Sequence, residues 1–482
     1  MNKSKVISSL IYKFAERFSV KAIGLVISII LARLLSPEYF GQIAIINVFV
    51  GLSQTFVEGG LNTALVQSKE ADDRDFSTVF YICMAVSLLM VAILFFASPF
   101  IADYYRNPGI TLPLRFYSVS LFFGAFNSIQ MAIIQRELKF KQQFVCSLIS
   151  TVLSGALGIA LAFMGAGIWA LVGYYFAYAV VSSFAMLIAV RWVPKSGFSL
   201  DSAKRLYGYG LRIFASSLMT SLYNDIRPLV IGRKFSDADL GYYDRGHQFS
   251  SLIALNIDNA VTSVMFPVFS QMQDEKERLI RTARNSLGIN AFLVFPVMLG
   301  MAAVAEPMVR LLLKDAWLPS VIFIQILCIG EAQIPLTTTN LVVLKALGRS
   351  DIFMKQELLR RSLMLIVLAL TVFCFDSPVA IAVGFTFSAW LDAFVTSLPI
   401  KRLLGYGFLG ELRDVWKLML ASGLMAAVVY AMNLLALPLI VKLLLQILAG
   451  AAVYLGVCTA LRADSIVFIL NILKKRRGGS NE

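Results

Sequence analysis

The sequence predicts an all-α integral membrane protein of fourteen transmembrane helices, laid out as two pseudo-symmetric six-helix bundles plus two C-terminal helices. Three observations predict it: apolar blocks of bilayer-spanning length, loop charges that alternate with those blocks, and an internal repeat at an offset of 200 residues.

The blocks come first. Of 482 residues, 58% are hydrophobic and 15% charged, against roughly 45–50% and about 25% in an average soluble domain. A spanning helix needs roughly 20 apolar residues, and blocks of that length recur from end to end, leaving no stretch for a sizeable soluble domain. They fall near 14–34, 40–66, 77–102, 112–134, 143–164, 167–190, 207–232, 240–268, 285–312, 318–344, 357–375, 378–400, 415–436 and 440–461. Barrel strands of about ten residues do not fit segments this long. The basic N-terminus, MNKSKVISSLIYKF, has no small-residue cleavage site after its apolar run, so it reads as a retained first helix.

Loop charges test the count. With fourteen spans both termini share a side. That side collects Lys3, Lys5 and Lys13, then Lys69, Arg74, Arg136, Lys139 and Lys141. It continues through the loops at 191–205, 276–284, 345–361 and 401–417 and ends on Arg462 and the run at 474–477. In all it holds 30 basic residues against 8 on the other side. The positive-inside rule makes the richer side cytoplasmic, and a missed span would scramble the alternation. The net charge of +14 is then topogenic. No basic, aromatic-studded soluble module is present to bind nucleic acid, and the KKRR tail reads as a patch beside the anionic leaflet.

The repeat sets the layout. Residues 14–41 overlay 214–241, aligning Phe14 with Phe214, Arg33 with Arg233, Ser36 with Ser236 and Gly41 with Gly241. Two further pairs, at 97–105 with 305–313 and 112–124 with 318–330, follow in the same order at offsets of 208 and 206. An offset of six helices means parallel halves related by an axis along the membrane normal, a transporter signature with the substrate site between halves. The implied organisation is an N-terminal bundle at 1–190, a cytoplasmic linker at 191–206 and a C-terminal bundle at 207–400. Helices 13 and 14 lie at 401–461 and a basic tail at 462–482.

Charges inside spans cost a few kcal/mol each by insertion scales, so they are functional candidates. Span 1 holds Glu16, Arg17 and Lys21, span 7 holds Arg212, Asp225 and Arg227, and span 8 holds Asp244, Arg245, His247 and Asp258. Glu58, Glu331 and Asp392 sit in spans 2, 10 and 12. Arg17, Lys21, Arg212, Arg227 and Arg245 would form a cationic cavity wall for an anionic headgroup, most naturally phosphate or pyrophosphate, because guanidinium forks match phosphate oxygens. The alternative for the residues near the start of span 1 is snorkelling. Glu58, Asp225, Asp258 and Asp392 would bind a coupling H⁺ or Na⁺, or serve as hydrogen-bonded structural carboxylates.

Other chemistry is not indicated. The five cysteines lie singly in apolar segments and read as small core hydrophobes. One histidine, His247, leaves little for a metal site or triad, and neither metal nor cofactor is expected. The DAD at 237–239 resembles a glycosyltransferase metal motif but, without a nucleotide-binding domain, reads as a solvated turn. No Walker A, Rossmann or GxSxG pattern occurs.

Several strings point to a family: ILARLLSPEYFGQIAI, GLNTALVQSKE, IIQRELKF, RPLVIGRKFSDADLGYYDRG and MFPVFSQMQDEKERL. The chain resembles the polysaccharide-transport branch of the multidrug/oligosaccharidyl-lipid/polysaccharide (MOP) exporter superfamily, in particular the O-antigen and colanic-acid flippases of bacterial inner membranes. The resemblance implies a MATE-like fold with a central cationic cavity. It also implies alternating-access translocation of an undecaprenyl-pyrophosphate-linked oligosaccharide, working beside a polysaccharide polymerase and chain-length regulator. A cation-coupled drug exporter of the same superfamily would want an acidic or apolar cavity, which the basic span 1 opposes. A membrane-embedded polymerase or ligase would want a long outward loop, and every outward loop here is short.

Overall fold

The computed structural model describes residues 3–68 and 71–463, with side chains from residue 19 onward. Arg17, Lys3, Lys5, Lys13 and Lys69, and the basic run at 474–477, therefore lie outside the described side chains. Seventeen α-helices follow one another: α1 (Lys3–Leu34), α2 (Pro37–Glu58), α3 (Leu61–Gln67), α4 (Asp73–Tyr104), α5 (Thr111–Ser118), α6 (Ser120–Glu137), α7 (Phe140–Phe163), α8 (Ile168–Val190), α9 (Leu200–Lys234), α10 (Asp237–Ser270), α11 (Lys276–Leu312), α12 (Ser320–Glu331), α13 (Ile334–Ala346), α14 (Ser350–Cys374), α15 (Pro378–Leu404), α16 (Phe408–Ala431) and α17 (Leu439–Ala460). Among the described residues there is no strand.

Eleven helical stretches are long and apolar enough to cross a bilayer, with α5–α6 and α12–α13 each acting as one broken stretch. The sequence predicts fourteen. The three expected spans outside the eleven correspond to α1, α9 and α14. All three form as helices, and each carries ionisable side chains along its length. Lys21 lies in α1, Arg212, Asp225 and Arg227 in α9, and Glu357, Arg360 and Arg361 in α14.

The helices form two compact units, Met1–Gly241 and Tyr242–Glu482, so the division falls inside α10. In the first unit α7 packs on α8 and on α1. It does so through small residues, Ser147, Ser150, Thr151, Ser154, Gly155 and Gly158, all buried. Small side chains let helices approach closely where lipid offers no hydrophobic drive. Their hydroxyls are satisfied locally: Ser150 donates to the Cys146 carbonyl at 2.7 Å and Thr151 to that of Ser147 at 2.8 Å. Large apolar side chains point outward instead, with Phe96, Phe100 and Phe163 more than 70% exposed, as a lipid-facing surface requires.

The expected linker at 191–206 is not a free loop. Residues 200–206 are already the first turns of α9, and 191–199 is strapped to the start of α4. Ser77 Oγ accepts from the backbone of Lys195 and Ser196 at 3.2 and 3.3 Å, and Thr78 Oγ1 accepts from Ser199 at 3.1 Å. Trp192 is buried against Phe76 and Phe80, and its carbonyl accepts from Gln130 at 2.9 Å. Asp75, fully buried, completes a capping box with Asp72 and binds Arg205 at 2.5 Å. Beyond that clamp α9, which the repeat assigns to the second bundle, packs on α2, α3 and α4.

In the second unit α11 packs on α16, α12, α17 and α13, and α14 on α15. Gln446 of α17 is fully buried and donates to the Val429 carbonyl and to Asn433 Oδ1 at 3.0 and 2.8 Å. Such polar bonds hold membrane helices where apolar contact alone does not discriminate. Four cysteines are buried as expected, whereas Cys374, at the end of α14, is exposed.

Candidate functional site

The repeat-matched ends of α2 and α10 meet. Pro37 opens α2 with its φ already set for a helix, and Asp237 opens α10 three residues after α9 ends at Lys234. The helices cross backbone to backbone. A Cβ on Gly41 would lie 1.8 Å from the Asp237 carbonyl oxygen, and one on Gly241 would lie 2.2 Å from the Pro37 carbonyl oxygen. Positions 41 and 241, and 37 and 237, are the same positions of the repeat. The Asp237 carboxylate accepts from Gln42 of α2 at 3.1 Å and from Asn107 after α4. The DAD segment is thus the first turn of α10, and its first carboxylate is a bonded, half-buried group. A solvated turn is not what forms, because partners 195 and 130 residues away reach it.

Along α9 no residue between Gly210 and Arg227 is buried. Arg212, Ser216, Thr220 and Asn224 are all exposed and recur every fourth residue, which puts them on one face of the helix. Thr220 donates to the Ser216 carbonyl at 2.9 Å, and Ser221 on the adjoining face meets Thr55 of α2 at 3.3 Å.

The predicted cationic residues take different places. Lys21 is exposed on α1 and Arg212 heads the polar stripe of α9. Arg227 is 6% exposed, one turn before Ile231 and Gly232 on the buried face of α9. Arg245 belongs to the second unit; it is buried, hydrogen-bonded to Gln248, and its guanidinium lies 5.7 Å from the ring centre of fully buried Trp317.

The acidic candidates also separate. Glu58 is exposed and accepts from Gln54 at 3.0 Å, one turn away. Asp225 is half-buried on α9. Asp258, 5% exposed, accepts from Asn290 and Thr338. Asp392 is held by the fork of Arg360, which also reaches Glu357 at 3.2 Å, and Glu357 in turn binds Arg361. The sequence singles out Asp392 alone, and the structure joins it to three partners. The spacing of Glu357, Arg360 and Arg361, three and four apart, is its readable part. The second unit also contains an apolar cavity of about 580 Å³ among α11, α16 and α17, lined by Phe292, Pro296, Met301, Met425, Ile447 and Leu455.

Known proteins supply context for this geometry. A family model described as polysaccharide biosynthesis protein matches residues 30–322. The succinoglycan biosynthesis transport protein ExoT of Rhizobium meliloti (strain 1021) is 28% identical over 69% of this chain and 67% of its own length. The teichuronic acid biosynthesis protein TuaB of Bacillus subtilis (strain 168) is 24% identical over 84% of each chain. The lipopolysaccharide biosynthesis protein WzxC of Escherichia coli (strain K12) is 22% identical over 86% of this chain and 85% of its own. Among solved structures, the lipid II flippase MurJ in its inward closed conformation superimposes with a TM-score of 0.75 at 17% identity, covering 95% of this chain and all of that one. A Vibrio cholerae MATE transporter, VcmN, superimposes with a TM-score of 0.54 at 17% identity, over 83% of this chain and 98% of its own. The fold is therefore the one shared by MurJ and the MATE transporters of the MOP superfamily.

Proposed function

Because the chain belongs to the polysaccharide biosynthesis protein family, a family of multi-pass membrane proteins, we propose that it is a flippase for a lipid-linked oligosaccharide. The cargo is an undecaprenyl-pyrophosphate-linked repeat unit of a surface polysaccharide. The observation that carries this reading is the exposed polar stripe of α9, in a fold shared with a lipid flippase. Hydroxyl and amide groups at Ser216, Thr220 and Asn224 suit sugar hydroxyls, and Arg212 suits a phosphate oxygen. A polar path of this kind spares sugars and pyrophosphate the cost of entering hydrocarbon unpaired.

In this proposal all fourteen helical spans cross the bacterial inner membrane, with α1, α9 and α14 among them and both termini cytoplasmic. Their charges then face the path or one another instead of lipid. The bundles 1–190 and 207–400 alternate access, with H⁺ or Na⁺ as the coupling ion and no other cofactor. The Gly41–Gly241 crossing closes the periplasmic end. The apolar cavity beside α17 accommodates hydrocarbon, and the polymerase and chain-length regulator act on the product after transfer.

Complementation tests the reading. In a strain lacking the gene, the native chain restores surface polysaccharide. Arg212→Glu, at an exposed position that folding does not depend on, abolishes restoration at normal membrane abundance, and Arg212→Lys retains part of it. Full restoration by Arg212→Glu would rule out a role for the stripe in handling the headgroup.

A further inference from the structure

Asp258 lies on α10, 12 residues from the Ser270 end, or about 18 Å of helix at 1.5 Å per residue. It is 5% exposed. Its described partners, Asn290 of α11 and Thr338 of α13, are both neutral. Along α10 it is the sole charged residue after His247. On α11 none occurs between Arg284 and Glu306, and on α13 the one charge is Lys345, whose ammonium sits over the Phe353 ring. Arg284 is itself engaged with Asp414 at 3.3 Å. A carboxylate buried in this way without a cationic partner is costly.

The hydrogen bonds around it have room for one proton more than Asn290 and Thr338 supply. Asn290 Nδ2 donates to Asp258 Oδ1 at 2.9 Å. Thr338 Oγ1 lies 2.6 Å from that same oxygen and 2.8 Å from the Ile334 carbonyl. Three oxygens thus define two hydrogen-bonding gaps, and the threonine hydroxyl owns a single proton. If that proton fills the Ile334 gap, a hydrogen bond in the other gap takes its proton from Asp258. If it fills the Asp258 gap, Ile334 keeps its ordinary helix bond and Asp258 carries a negative charge. Both patterns are available without moving a heavy atom; they differ by one proton and one hydroxyl rotation.

We propose that Asp258, Thr338 and Asn290 form a proton-binding site, in which Asp258 carries the proton and Thr338 relays it. Thr338 is the half-buried member of the trio, whereas Asp258 and Asn290 are buried, so exchange with water runs through the hydroxyl. The proton neutralises the one charge on this part of α10. Its release leaves a carboxylate held only by two neutral donors, Asn290 and Thr338, and favours a state in which α10 is rewetted at this level. That coupling of a proton to the movement of α10 rests on the transport reading above; the binding site does not.

Infrared difference spectroscopy on the purified protein in nanodiscs tests the site without any substrate. Near neutral pH, sodium-free protein should show a protonated-carboxyl band that shifts in D₂O and is missing in Asp258→Asn, an isosteric neutral replacement that keeps the fold. Thr338→Val should keep the band but move its frequency, since the acid loses its acceptor. Adding Na⁺ should leave the band unchanged. Identical spectra for native protein and Asp258→Asn would overturn the proposal, as would removal of the band by Na⁺, which would make the trio a metal-ion site. Because no transport is measured, these results stand apart from those of complementation.

Discussion

Replacing Gly41 with alanine should force apart the crossing of α2 and α10. The added Cβ would sit 1.8 Å from the Asp237 carbonyl oxygen, where real Cβ atoms keep at least 3.0 Å, so the two helix ends must separate by 1.2 Å or more. Neither side can yield by rotating a side chain, because the clash is with backbone at the first turn of α10. Overpacking of this kind costs about 1–3 kcal/mol, which moves a two-state equilibrium roughly 5- to 150-fold. Gly241→Ala meets the Pro37 carbonyl at 2.2 Å and needs 0.8 Å by the same criterion, so its effect is in the same direction and smaller. One separation relieves both clashes, so the double substitution should cost less than the sum of the singles. The assay is labelling of Gln42→Cys by an impermeant maleimide in intact cells, in a background lacking the native cysteines. Gln42 is half-buried beside Asp237, and its labelling rate should rise at least fivefold in Gly41→Ala. Unchanged labelling with full export would refute the claim that this crossing is a closed gate.

Two further predictions concern the ion pairs. Asp75→Asn should lower stability by about 1–3 kcal/mol, read as a fall in melting temperature in detergent, because fully buried Asp75 both caps α4 and binds Arg205; Arg205→Met should cost less, its side chain being 56% exposed. Asp392→Asn should destabilise by stranding Arg360, whereas Asp392→Leu with Arg360→Met should recover most of the loss. If Asp392→Asn melts normally but stops export, Asp392 is a coupling group and its pairing with Arg360 is incidental.

Much of the fold was legible because hydropathy is a local property. Every expected span coincides with helix, including α1, α9 and α14, which lie outside the eleven apolar stretches. The repeat aligned Gly41 with Gly241 but did not reveal that they touch, since an alignment relates positions and not neighbours. Asp237 reads as part of a turn for the same reason: its short-range surroundings are those of a turn, and the groups that bury it come from α2 and the end of α4. The strap at 191–199 reads as a loop from Pro194, Ser196 and Gly197, and what fixes it is a pair of hydroxyls on α4. On α9 the reverse held. The charges at 212, 225 and 227 stand out in the sequence, whereas the four-residue spacing of Arg212, Ser216, Thr220 and Asn224 is carried mostly by small neutral polar groups that barely lower the hydropathy of a helix.

Residue 41 touches residue 237 while residue 241 touches residue 37, and the offset between equivalent positions is 200. That reciprocity is the signature of an isologous contact, the kind two identical subunits make across a two-fold axis. A half-length chain pairing with its own copy would form this contact twice from a single glycine codon. Once the copies are joined in one polypeptide, the two glycines can mutate independently, yet steric exclusion at the crossing still binds them to a common requirement.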